Sequence, residues 1–180
     1  MWAPVNEAAF RVLQVDLHIG TLSKAVGAQG GFVCCSHMTK QLLVSKARSQ
    51  IYSTALPLPV VAAALEAVRV SYREWWRRRH LWRLVELAGS ALGAAAQSPI
   101  LPLVVGSEQE ALDFSRQLLE AGLHVPAIRP PTVPQGMCRL RLTLSAAHSF
   151  EDVGKLVQAI HVSGREFRGI DTGLGPRAKL

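Results

Sequence analysis

The chain has 180 residues, 49% hydrophobic and 18% charged, a balance that supports a packed core and excludes an intrinsically disordered tail. No apolar run reaches the ~20 residues that a membrane-spanning helix needs, and residues 1–10 lack the basic start and apolar stretch of a secretory leader. Three cysteines, two of them adjacent at Cys34 and Cys35, match neither a disulfide framework nor a zinc-site spacing and fit a reducing compartment, while a net charge of +7 leaves an anionic partner open.

In chain order, three sections emerge. The first runs to Leu58 and mixes strands with glycine turns. Gly30-Gly31-Phe32-Val33-Cys34-Cys35 predicts a short buried strand entered through a glycine turn, and residues 39–49 a short amphipathic helix. The second opens on Pro57-Leu58-Pro59, where proline suits a first helical turn, and predicts one continuous helix from residue 60 to about 88, with breaks available at Gly89 and Ser90. Arg73, Arg77, Arg78, Arg79 and Arg83 interleave with Trp75, Trp76 and Trp82. This reads as a solvated basic face with tryptophans packed inward; the alternative, a nucleic-acid surface, lacks any groove-reading motif.

The third section predicts a small α/β unit. Residues 100–105 read as an apolar strand. Ser107-Glu108-Gln109-Glu110 is a capping box ahead of a helix whose Ala111, Leu112, Ser115, Leu118 and Leu119 share a face, with Gly122 ending it. Residues 124–128 form a second strand, followed by a loop stiffened by Pro130, Pro131 and Pro134. Strict alternation over residues 139–144 puts Arg139, Arg141 and Thr143 on one face and three leucines on the other. Ser149 and Asp152 cap a last helix with Val153, Leu156, Val157 and Ile160 inward, and residues 163–180 read as a flexible tail.

Two features carry chemistry. Lys24 stands alone among small uncharged residues in Gly20-Thr21-Leu22-Ser23-Lys24-Ala25-Val26-Gly27. An apolar setting strips hydration from an ammonium group and favours the neutral amine, a nucleophile toward aldehydes; a snorkelling lysine at a strand–loop boundary is the competing reading. The second feature is the arginine-bearing strand, with Arg129 ahead of the stiff loop. Guanidinium groups on rigid elements suit bidentate capture of a carboxylate, and a solvated surface strand is the alternative.

Four segments occur together in order: GTLSKA around Lys24, Ile51-Tyr52-Ser53-Thr54-Ala55-Leu56-Pro57, Ala127-Ile128-Arg129-Pro130-Pro131-Thr132-Val133-Pro134, and Arg139-Leu140-Arg141-Leu142-Thr143-Leu144-Ser145-Ala146-Ala147-His148. They resemble the C-terminal half of the α-oxoamine synthases, pyridoxal 5′-phosphate (PLP) enzymes of aminotransferase class I/II and fold type I, over about residues 15–160. The resemblance implies an α/β fold: a remnant of the large-domain sheet at 15–58, a connecting helix region at 59–98 and a small C-terminal domain at 99–162, with residues 1–14 unmatched. It implies that Lys24 holds PLP through a Schiff base and then moves the Cα proton, and that Thr21 binds the cofactor phosphate. Ser53 and Thr54 are implied to reach the phosphate of a neighbouring subunit in a homodimer, Arg141 to hold the substrate α-carboxylate, and Arg129 to assist. His148 reads as helping to begin the last helix, where capping positions often carry polar residues, with a catalytic role the alternative. The run from AIRPPTVP to RLRLTLSAAH is most similar to the biotin-forming branch, which implies decarboxylative condensation of L-alanine with pimeloyl-CoA or another pimeloyl thioester. Branches making 5-aminolevulinate, 2-amino-3-ketobutyrate or ketosphinganine share the chemistry.

The family's ring-stacking residue and pyridine-pairing aspartate have no counterpart before Lys24. That implies a truncated chain, inactive alone or pairing with a full-length subunit, whose strands expose apolar faces. The ending Ala178-Lys179-Leu180 resembles a peroxisomal address, so peroxisome and cytosol are both open.

Overall fold

A computed structural model describes residues 15–93 and 96–164 of the chain. The unmatched segment expected at 1–14 and the tail from 165 onward, with its Ala178-Lys179-Leu180 ending, lie outside these residues. The chain divides into two units, with the boundary between Trp75 and Trp76.

The first unit begins with an antiparallel hairpin, β1 (Leu17–Thr21) and β2 (Gly31–Cys35), paired from Leu17↔Cys35 to Thr21↔Gly31. Helices α1 (His37–Lys46) and α2 (Arg48–Ile51) follow, then α3 (Leu58–Arg73). Ser36 caps α1 by accepting from the Thr39 amide. Phe32 and Val33 of β2 are exposed, which corrects the expectation of a buried strand. The reason is lack of cover: the hairpin is a sheet of two strands, and among the described residues of this unit only Ala64 is buried. The exposed apolar faces expected from the sequence are therefore present.

The expected continuous helix is two helices. α3 ends at Arg73, Glu74 takes a non-helical conformation (φ −104°, ψ 50°), and α4 runs Trp76–Leu92 straight through Gly89 and Ser90. Neither proline nor glycine marks this break, and less exposed positions continue through it at 64, 67, 70, 74, 78, 81, 85 and 88. A periodicity argument therefore reads across it. Of the three tryptophans expected inward, Trp82 packs against a core, whereas Trp75 and Trp76 are about half exposed (54% and 51%). They flank the break, ahead of the first residues of α4 that meet the core.

The second unit is built on a three-stranded antiparallel sheet of order β3-β5-β4: β3 (Ile100–Gly106), β4 (Ala127–Ile128) and β5 (Cys138–Thr143). β3 is an edge strand, so Pro102 within it costs no ladder bond on the paired side. β4 is shorter than expected because Pro126 ends it; Pro126 still accepts a bond from the Arg141 amide through its carbonyl. β5 alternates as predicted, with Leu140 and Leu142 buried and Arg141 and Thr143 exposed.

Those leucines join Leu84, Val85 and Ala88 of α4, Phe114 and Leu118 of α5 (Glu108–Glu120), and Val153, Leu156 and Ile160 of α6 (Phe150–Val162) in one core. The α5 stripe is Ala111, Phe114 and Leu118; Leu119 turns out to solvent at 56% exposure. Spacing i, i+3, i+7 centres the stripe on Phe114, which displaces Leu119 to the flank. α5 starts with the Ser107–Glu110 capping box and stops in a Schellman turn, in which Gly122 (φ +79°) donates to Leu119 and Leu123 to Leu118.

Leu140→Ala removes a fully buried side chain and is expected to destabilise the second unit by about 2–5 kcal/mol. Ile19→Ala, 79% exposed in the first unit, is expected to change stability by less than ~0.5 kcal/mol. Denaturant titration of the two variants checks the contrast. A second expectation concerns acid. The Ser149 amide and hydroxyl donate to Asp152 and hold its carboxyl below the usual carboxylate range. Its contribution to the α6 cap is therefore complete above the ordinary carboxylate pKa and is lost as pH falls through the depressed value. NMR titration of the α6 amides should show this acid step, and Asp152→Asn should abolish it.

Candidate functional site

The sequence-predicted residues fall into three groups. Thr21 ends β1, and Lys24 lies in the loop that follows it, between β1 and β2. Ser53 and Thr54 lie in the segment between α2 and α3. Arg129 and Arg141 belong to the second unit, Arg129 just after β4 and Arg141 on β5.

The β1–β2 loop is closed by its own backbone. Leu22 donates to Gly30 (2.9 Å), Ala28 to Leu22 (2.8 Å) and Gly27 to Lys24 (2.9 Å). Gly27 has φ +66°, a left-handed conformation that glycine adopts without strain. Close packing also needs glycine at position 20: a Cβ there would stand 2.3 Å from the Phe32 ring. Thr21 Oγ1 and Ser23 Oγ lie 2.8 Å apart, and Thr21 Oγ1 accepts from the Ser23 amide at 3.2 Å. Two hydroxyls thus face each other in the three residues before the lysine. Ser23 was not among the predicted residues; its signal is the Thr-x-Ser spacing, which favours a side-chain-closed turn.

Lys24 is exposed. The small neighbours read as an apolar pocket line an open loop, because no described residue of its unit covers Lys24. A cavity of about 400 Å³ does exist in this unit, lined by residues that include Asp16, His18, Cys34, Cys35 and Thr39. It lies at the Leu17 end of β1, one strand length of roughly 15 Å from the Thr21 end, and it contains none of the predicted residues.

Donor chemistry decides how well PLP fits. A primary amine suits its aldehyde, and the paired hydroxyls of Thr21 and Ser23 suit its phosphate. Its pyridine nitrogen has no counterpart in the loop: Asp16, the carboxylate nearest in sequence, precedes the far end of β1. The fit is to two ends of the cofactor and not to its ring. Ser53 and Thr54 are exposed ahead of α3, accessible to a ligand outside their own unit.

The arginines differ in state. Arg129 is ion-paired with Glu108 at the start of α5. The bridges Glu66–Arg69, Glu66–Arg73, Asp113–Arg116 and Glu151–Lys155 each stay within a helix, whereas this one spans 21 residues and ties the post-β4 loop to α5. Sequence reading missed Glu108 as a partner, since its capping-box position already explained it. Arg141 is exposed on β5, its amide bonded to the Pro126 carbonyl, and no acid among the described residues pairs with its guanidinium. Of the two, Arg141 is the cation available to a carboxylate.

The turn after β5 is held by histidines. The Ser145 amide donates to His148 Nδ1 (3.1 Å), and His80 Nε2 donates to the His148 carbonyl (2.8 Å). His80 also meets the Phe150 ring edge-on at 5.3 Å. An Nδ1 that accepts places the His148 proton on Nε2. His148 thus closes the turn ahead of Ser149, the cap of α6.

Comparisons with known proteins agree with this picture. Residues 7–160 match the aminotransferase class I and II family. The 8-amino-7-oxononanoate synthase of Arabidopsis thaliana is 55% identical over 146 residues, which is 81% of this chain and 31% of that protein. A serine palmitoyltransferase of Sphingomonas wittichii superposes with a TM-score of 0.78 at 33% identity, covering 89% of this chain and 42% of its own. Another serine palmitoyltransferase, solved with its PLP internal aldimine, superposes at 0.76 with 29% identity, covering 84% and 40%. The chain thus spans less than half the length of each of these relatives.

His148→Ala removes the acceptor of the Ser145 amide. Hydrogen exchange at that amide is expected to accelerate about fivefold, the equivalent of one net hydrogen bond of ~1 kcal/mol, while exchange in β3 stays unchanged. The α/β architecture, the superposition on PLP enzymes and the match over most of its length place the chain in the aminotransferase class I and II family, as a partial PLP-dependent fold of type I.

Proposed function

We propose that this chain contributes the lysine and arginine groups of an enzyme that condenses L-alanine with pimeloyl-CoA or another pimeloyl thioester to form 8-amino-7-oxononanoate for biotin synthesis. The observation that carries the reading is the 55% identity to the Arabidopsis relative of that name. A ketosphinganine-forming branch is favoured only by the superposition on serine palmitoyltransferase, at 33% identity. Identity falls by a wide margin between the two, so the biotin branch is preferred.

In this reading Lys24 Nζ would hold PLP at its aldehyde end, and the hydroxyls of Thr21 and Ser23 would hold its phosphate. Ser53 and Thr54 reach the phosphate at the site of a partner subunit in a homodimer. When bound, the cofactor supplies an electron sink for charge developing at the amino-acid Cα. Arg141 fixes the alanine carboxylate by a two-pronged charge-assisted bond, and Arg129 assists once it leaves Glu108. With its amine free, Lys24 Nζ would take the Cα proton. A carbon–carbon bond then forms between Cα and the thioester carbonyl, the carbon–sulfur bond breaks and the thiol leaves. The carboxylate departs as carbon dioxide, and Lys24 returns a proton to Cα.

The 180-residue chain alone is expected to hold PLP weakly and to turn over no substrate, since Lys24 is exposed and the ring lacks a partner. Among the described residues, no helix is long and apolar enough to cross a membrane. Placement in the cytosol or, through Ala178-Lys179-Leu180, in the peroxisome belongs to the proposal.

The test is a chimera in which residues 15–160 replace the matching segment of the Arabidopsis protein. It is expected to form product from L-alanine and pimeloyl-CoA, with borohydride fixing PLP onto Lys24. Lys24→Ala should lower kcat by about 10²–10⁴-fold. Arg141→Ala should raise the KM for alanine by about tenfold or more, for the loss of a charged hydrogen bond of ~1.5–3 kcal/mol, with Arg129→Ala the smaller effect. A chimera that folds and binds PLP but condenses serine with a long acyl thioester would move the chain to the other branch.

A further inference from the structure

On the flank of the α5 stripe that enters the core stands a hydroxyl, the half-buried Ser115, next to Phe114. A hydroxyl set beside an apolar face must find an acceptor. Within a helix the usual one is the carbonyl three or four residues before. Ser45 of α1 donates in this way to Leu42 (3.1 Å) and Ser71 of α3 to Val68 (2.7 Å). Ser115 instead donates out of its helix, to the carbonyl of Val125 at 2.7 Å. The bond reaches past the Schellman turn and holds the segment that enters β4. Pro126 comes next, with φ locked by its ring. A single torsion, its ψ, therefore separates the Val125 peptide plane from the Pro126 carbonyl, which accepts the Arg141 amide at 2.9 Å. β4 pairs only with Leu140 and Arg139, so Arg141 lies just beyond its end, and Pro102 opposite on β3 has no N–H to offer. The hold on the Arg141 amide thus runs back to α5, the helix that also engages Arg129 through Glu108.

We propose that Ser115 is a positioning residue for Arg141 and, through it, for the α-carboxylate of the amino-acid substrate. The role rests on the proposed function, in which Arg141 takes that carboxylate. Two-pronged capture requires the guanidinium and carboxylate planes to meet, and a misplacement on the order of 1 Å can cost up to ~100-fold. Ser115 never touches the substrate. Its hydroxyl fixes the Val125 carbonyl, the locked proline carries that orientation to its own carbonyl, and the Arg141 backbone follows. Without the hydroxyl, the carbonyl of Val125, a residue 3% exposed, loses this donor, and the segment ahead of β4 gains the freedom to rotate away from β5.

The test has two arms. The first is hydrogen exchange in the 180-residue chain without substrate. Ser115→Ala is expected to accelerate exchange at the Arg141 amide about fivefold, the equivalent of one net hydrogen bond, and to leave the Leu144 amide, which donates to Pro99, unchanged. The second arm is steady-state kinetics in the Arabidopsis chimera. There Ser115→Ala should raise the KM for L-alanine about fivefold, with kcat and the KM for the thioester within about twofold. Ser115→Thr keeps a hydroxyl and should return both readouts to within about twofold of the parent. Equal acceleration at Arg141 and Leu144 overturns the proposal, as does Ser115→Thr behaving like Ser115→Ala, since either marks a loss of packing alone. An unchanged alanine KM in Ser115→Ala overturns it when Arg141→Ala raises that KM. When both variants leave the KM unchanged, the assignment of Arg141 fails, and the carboxylate role of Ser115 falls with it.

Discussion

The alternation of β5 is the constraint on which the ordered chemistry of the second unit depends. Leu140 and Leu142 point into a core closed by α4, α5 and α6, so Arg141, between them, must point the other way. A slip of one residue would bury a guanidinium and expose two leucines, which is prohibitive in desolvation alone. Packing therefore fixes where the arginine stands. The turns on either side hold the strand ends: Leu144 donates to Pro99, and His148 closes the loop into α6.

The first unit is organised on the opposite principle. Its loop is well defined by backbone bonds and glycine conformations, yet among the described residues of the unit a single one, Ala64, is buried. Local geometry there is dictated by turn chemistry; stability must come from contacts that the described residues do not make among themselves. That contrast explains why Lys24 sits in a well-defined loop and still faces solvent. A lysine becomes an effective nucleophile through what surrounds it in space, and small neighbours along the chain do not create those surroundings.

The arginines carry a related lesson. On chemistry alone Arg129 and Arg141 are equivalent carboxylate receptors. The ion pair from Glu108 separates them, since a guanidinium already occupied by one carboxylate must give it up to take another. The same contact anchors the loop after β4 to α5, so one pair both positions an element and occupies a cation.

Much of the second unit was legible in the sequence: the capping boxes at Ser107 and Ser149, the glycine stop at Gly122 and the leucine–arginine alternation; the four segments in order, two in each unit, implied the family. These are determined locally, by hydrogen-bond geometry within a turn and by side-chain period along a strand. Tertiary structure alone decided the rest. The break at Glu74 falls where neither proline nor glycine marks it, Phe114 rather than Leu119 enters the core, Glu108 meets Arg129 across 21 residues, and β2 lies open though its sequence is apolar. Each depends on which surface lies opposite, and no pattern along a single strand or helix contains that information.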